Sequence, residues 1–110
     1  MSNQLSEQLF KKLEEASNKW ADWQKKVIIL DEGRKAVFSA CVIKHKKSVK
    51  TMSEAEHEAR IDKDYKMIVE QYAESEKELI KARYLYANID RYVSLKQSEL
   101  KRDLALNSKV

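Results

Sequence analysis

The chain has 110 residues, 36% of them charged, with no proline, one glycine and one cysteine, and its 22 basic and 18 acidic side chains leave a net charge of only +4. That length holds one domain, the lone Cys41 has no partner for an internal disulfide, and so small a net charge does not by itself announce a polyanionic partner. The longest apolar runs, VIIL and AVFSACVI, are too short to span a bilayer, and residues 1–10 lack the basic head and apolar core of a signal peptide, so no membrane partner is expected and the expected compartment is the cytoplasm.

Helix formers dominate the composition and predict an all-α chain. Helix 1 is predicted over about 4–49. Its apolar positions step by three and four from Leu13 through Trp20, Trp23, Val27 and Leu30 to Val37 and Cys41, with Arg34 as the one intruder. A turn at about 50–52 is signalled by two overlapping capping boxes, Thr51 with Glu54 and Ser53 with Glu56, in which a hydroxyl accepts from a free amide and the glutamate reaches back. Helix 2 follows over about 53–106, with its seam running from Ile61 and Tyr65 through Tyr72, Ser75 and Ala82 to Tyr86 and Val93. Each arm would be roughly 65 to 80 Å long at about 1.5 Å per residue. Phe10, Ile28, Ile29, Phe38, Val42, Ile43, Val69, Ile80, Leu85, Tyr92 and Leu95 fall beside the seam and widen the apolar stripe beyond what one neighbour covers. Residues 1–110 therefore read as a single domain, a long antiparallel two-helix hairpin of coiled-coil type, with a second copy as the simplest cover: a homodimer in a four-helix arrangement.

The segment 30-LDEGRK-35 places the only glycine beside the seam arginine. With the turn near 51 or 52, facing positions sum to about 103, good to roughly a turn of helix. Arg34 then faces Glu70 or Glu74, and Gly33 lies near Tyr72. In a structural reading, Arg34, Glu70 and Tyr72 set register while Gly33 makes room for the ring; Trp20, Trp23 and Tyr86 fill the seam further along. In a functional reading, Asp31, Glu32, Gly33, Arg34 and Lys35 form a kinked, charged patch that meets a protein partner, the helix loosening at Gly33. The structural reading is preferred, because isolated polar residues in helical seams set pairing more often than they bind ligands.

The basic run 44-KHKKSVK-50 sits at a helix C-terminus opposite Glu54, Glu56 and Glu58, where helix dipoles favour mutual neutralisation. Helix 2 is asymmetric: residues 51–80 hold nine acidic and four basic side chains, and 81–110 hold three acidic and seven basic ones, with Tyr84, Tyr86 and Tyr92 interleaved. Basic groups neutralise phosphates and aromatic rings stack on bases, so Arg91, Lys96, Lys101 and Arg102 are the candidate nucleic-acid contacts, in a region that also holds Lys81, Arg83 and Lys109. Trp20 and Trp23 are expected to pack nearby, with Arg83 over an indole face. His45 and His57 would flank the turn near Glu58, with Cys41 a turn away, but charged neighbours supply no apolar shell to orient them for a metal. No phosphate loop, nucleophile elbow or buried carboxylate pair is present. No catalytic residue, metal or cofactor is expected, and the chain reads as a non-enzyme.

The segments 13-LEEASNKWADWQKKVIILDEGRK-35, the turn serine with AEHEA after it, 64-DY-65 and 79-LIKARYLYANID-90 contain a W-A segment, an L-[DE]-E-x-[KR]-K segment and an A-[KR]-x-x-[YV] run. In these, and over nearly its whole length, the chain resembles short uncharacterised two-helix proteins of tailed phages and prophages. Their genes often lie beside recombination and single-strand annealing genes. The resemblance implies an accessory role in DNA recombination or replication through protein contacts, and carries over no catalytic or ligand residue.

Overall fold

The computed structural model describes residues 2–108, and the side chains of 4–107. All regular structure among them is helical: α1 (Ser2–Lys46), α2 (Met52–Ile61) and α3 (Lys63–Ser108). The chain divides into two compact units. One is Asp22–Leu79, and the other joins the chain up to Ala21 with that from Ile80 onward.

In Asp22–Leu79, α1 ends three residues earlier than its apolar period suggests, and residues 47–51 make the turn. The Ser48 N–H donates to the His45 carbonyl at 3.0 Å, and the Lys46 ammonium reaches the Lys50 carbonyl at 3.2 Å, so lysines at the helix end close the turn as well as complementing the dipole. Of the two capping candidates the fold uses Thr51, whose Oγ1 accepts from the Glu54 N–H at 3.1 Å; Ser53 is already inside α2.

The predicted second helix is two helices. Asp62 interrupts it in an extended conformation, with φ −63° and ψ 138°. It serves both ends: its N–H donates to the Ala59 carbonyl at 3.2 Å, its Oδ1 accepts from the Asp64 N–H at 2.9 Å, and its carbonyl takes the Lys66 N–H at 3.0 Å. An aspartate that satisfies a free amide of the next helix is a stable place to break the chain, even without glycine or proline.

Gly33 does not loosen α1, which runs through it unbroken and with no positive φ. Its neighbour is Ile68 rather than the expected Tyr72, since a Cβ built on Gly33 would lie 3.1 Å from Ile68 Cδ1. The glycine is there for closeness of two helices, not for a kink. Ring contacts continue the same packing: Phe38 meets Tyr65 with centroids 5.2 Å apart, and sequence numbers fall on α3 as they rise on α1. The fully shielded side chains are small. Ala55 and Ala59 are 0% exposed, Cys41 and Ser75 are buried, and the Ser75 hydroxyl donates to the Tyr72 carbonyl at 2.8 Å. In the other unit Ala16, Ala82 and Val93 are buried, and Trp20 packs on Tyr86 with centroids 5.2 Å apart and planes tilted by 49°.

Candidate functional site

The segment predicted as a partner patch is neutralised from within. Arg34 Nε donates to Asp31 Oδ1 at 2.8 Å, and Lys35 lies 3.5 Å from both Asp31 and Glu32. The expected pairing of Arg34 with Glu70 or Glu74 is corrected: a carboxylate three residues back on the same helix is the closer partner. Its guanidinium also stacks over the Tyr72 ring, 4.4 Å from the centroid. The Arg34 hydrogen bond holds the Asp31 carboxyl below the usual carboxylate range, and in return Asp31 pushes Arg34 and Lys35 up.

A second polar cluster gathers where α2 meets α3. The Asp62 side chain, only 6% exposed, accepts at Oδ2 from His45 Nε2 at 2.8 Å and from Lys44 Nζ at 3.1 Å. The His45 hydrogen bond, the Asp64 N–H and Lys44 together hold this carboxyl far below its ordinary value. His45 is therefore committed to Asp62, not to His57. Burial pushes the nearby Cys41 thiol up, away from the reactive thiolate. Among the described residues, no three or more His, Cys, Asp or Glu side chains are placed to hold a metal ion.

The region from Ile80 onward differs. Beside the Trp20 and Tyr86 rings lies an open hollow of about 790 Å³, bordered along α3 by Arg83, Tyr84, Asp90 and Arg91. Ala87 and Ser94 line it as well, with short side chains. Arg83 thus lies near Trp20 and Tyr86, but Trp23 belongs to the other unit, and no cation–π contact of Arg83 with an indole is found among the described residues. The indole N–H of Trp20 is shielded and has no acceptor among the described residues. Of the four predicted nucleic-acid contacts, Arg91, Lys101 and Arg102 follow Arg83 after eight, ten and one residues, and at about 100° per residue all four fall on one side of α3, within an arc of roughly 100°. Lys96 does not. It pairs with Glu99 at 3.3 Å, lies over Tyr92, and borders a smaller notch with Leu5 and Leu9. Lys109 lies outside the described residues. Arg83 and Tyr84 join the set because they occupy the same side as Arg91, a phase relation readable from their spacing.

Large apolar side chains lie mostly outside the shielded core. On α1, Ile29 and Ile43 are 59% and 65% exposed, and with exposed Ala36 between them they repeat every seven residues on the side turned from the seam. On α3, exposed Leu85 and Tyr92 are seven residues apart and exposed Leu106 follows fourteen residues on, with Glu99 at the step between and Leu95 nearby. Trp23 and Lys26 form a cation–π pair at 4.9 Å on the seam side of α1. No helix among the described residues is long and apolar enough to cross a membrane. Compared with protein-family models, curated proteins and solved structures, the chain matches none of them.

Proposed function

We propose that this chain is a non-enzymatic helical interaction protein. In this reading α1 and the α2–α3 stretch form a long antiparallel hairpin, and two copies associate into a four-helix arrangement that presents a composite surface to a protein partner. The partner belongs to DNA recombination or replication, an accessory role of the phage or prophage type taken from the resemblance of the segments quoted above.

The observation that carries the reading is the exposed heptad stripe Ile29, Ala36 and Ile43, a spacing that suits the seam of another helix. Covering a half-exposed large side chain gains about 1 kcal/mol. With Ile28, Ile29, Ile43, Leu85, Tyr92 and Leu95 from each of two copies, the gain reaches roughly 10 kcal/mol, within the range of the entropy cost of association. Sedimentation at micromolar concentration should give a dimer, and Ile29→Asp with Ile43→Asp should give a monomer of unchanged helix content. A folded wild-type monomer across that range would overturn self-association. Capture of the protein partner should survive nuclease treatment, and its loss would overturn the protein-contact part of the reading.

A further inference from the structure

We infer that the side of α3 running from Arg83 to Arg102, with the Trp20 hollow at its start, is a binding face for single-stranded nucleic acid. The inference goes beyond self-association and uses a different side of α3 from Leu85 and Tyr92. Charge is its first support. Arg34, Arg60, Lys44 and Lys96 each have a carboxylate within ion-pair distance, whereas none of the ion pairs found among the described residues includes Arg83, Arg91, Lys101 or Arg102. Asp90 is the one carboxylate bordering the hollow, and it pairs with neither arginine. Unpaired guanidiniums cost little in water and gain most from phosphate, which matches their planar donor fork.

Shape is the second support. The hollow is walled by rings, with Trp20 held at a fixed tilt against Tyr86 and Tyr84 standing 68% exposed at its edge. A flat base can lie against such rings only if it is not already stacked in a duplex, which selects a single strand. The open shape admits a base still attached to its backbone, and Arg91, Lys101 and Arg102, on the same side of α3 as Arg83, carry the positive charge onward from the hollow. Ala87 and Ser94 add only short side chains to the lining.

The test uses the full chain carrying Trp23→Phe, so that Trp20 is the only indole. A thymidine oligonucleotide of about 12 nucleotides should quench its emission at low salt. Arg83→Ala with Arg91→Ala should weaken binding at least about tenfold and flatten the logarithmic salt dependence by about 1.4. Tyr84→Ala should weaken binding and leave that slope unchanged, and Lys96→Ala should change neither. All four residues are at the surface or already paired, so helix content should hold by circular dichroism. Four results would overturn the proposal: no binding at low salt; polyphosphate binding as tightly with Trp20 emission unmoved, which leaves a generic polyanion face; thymidine monophosphate binding as tightly as the oligonucleotide, which leaves a nucleotide pocket without a strand; or a duplex of equal length preferred to the single strand.

Discussion

In Asp22–Leu79, Arg34 and Lys35 sit against Asp31 and Glu32, and Lys44 and His45 close on the shielded carboxylate of Asp62. From Ile80 onward, Arg83 and Arg91 flank a ring-walled hollow and take no carboxylate partner among the described residues. Both stretches are amphipathic helix with scattered basic and aromatic residues, but over 81–110 only three acidic side chains stand against seven basic ones. The difference lies in where the opposite charge stands. A cation with a carboxylate three or four residues away is answered within its own helix and contributes to the fold. One without such a neighbour is left to a partner. This contrast moves the functional weight from the glycine–arginine segment, which first draws the eye, to the tyrosine-rich part of α3.

The contrast can be broken most forcefully at Trp20. Its ring holds the unit containing Ile80 onward through Tyr86, and Trp20→Ala should cost about 3 kcal/mol, the lower end of the range for removing a large aromatic because the ring is not fully shielded. Chemical denaturation followed by circular dichroism measures it. A cost below about 1 kcal/mol, the level of an ordinary surface change, would mean that the ring pair is not what holds this region.

Acid should act on the other region. The folded state holds the Asp62 carboxyl far below its unfolded value, so on acidification the unfolded chain takes up the proton first. The stabilisation is complete above the unfolded value of about 4 and is lost as pH falls below it toward the much lower folded value. Asp31 adds a contribution of the same sign. Trp23 as the only indole, in a Trp20→Phe protein, reports on Asp22–Leu79, and its melting temperature should fall between about pH 5 and pH 2. Asp62→Asn should lower the melting temperature at neutral pH and flatten that fall. Equal pH dependence in wild type and Asp62→Asn would remove Asp62 as the anchor of the turn. Coincident melting of the Trp20 and Trp23 reporters would show that the two regions unfold as one cooperative unit.

The helices were legible because spacings of three and four recur from Leu13 to Cys41 and from Tyr65 to Val93, and the Thr51 cap because a hydroxyl three residues before a glutamate is a local signal. The Trp20–Tyr86 contact follows from the same periods with a turn near residue 51. Asp62 was hidden because the apolar rhythm passes from Ile61 to Tyr65 as if nothing intervened, and its partners Lys44 and His45 are distant in sequence. The Arg34 pairing is hidden for the opposite reason: the seam register points across to Glu70, while its partner Asp31 stands three residues back on the same helix. On the α3 face, composition pointed to the basic end but did not sort its cations. Helical phase does so, separating Lys96 with its own Glu99 from Arg83, Arg91, Lys101 and Arg102.

Arg34→Leu sharpens the contrast further. It removes the bond to Asp31 and the stack on Tyr72 together, so the melting temperature of the Asp22–Leu79 region should drop measurably at neutral pH. Part of its acid sensitivity should disappear as well, because Asp31 no longer titrates against a guanidinium. Arg83→Leu, on the unpaired side, should leave both quantities where they were. If the two substitutions behave alike, the distinction between answered and unanswered cations has no energetic content.

The smallest effect is expected at Gly33. A helical glycine is less favourable than alanine by about 0.8–1 kcal/mol, and a methyl group there would meet only the end of a flexible side chain, Ile68 Cδ1 at 3.1 Å. That atom has to retreat by a few tenths of an ångström, which Ile68, itself not fully shielded, can do by a small rotation of its terminal torsion. The propensity gain should therefore win by a narrow margin, and Gly33→Ala should stabilise the protein by about 0.5 kcal/mol. Gly33→Val should destabilise it, since a branched side chain brings two carbons where one barely fits. Should Gly33→Ala instead lower the stability by about 1 kcal/mol or more, Ile68 is pinned and the close approach of α1 and α3 is the tightest packed point of the Asp22–Leu79 region. Oligonucleotide binding at the Trp20 hollow should be the same in all three proteins, because Gly33 lies in the region whose charges are already answered.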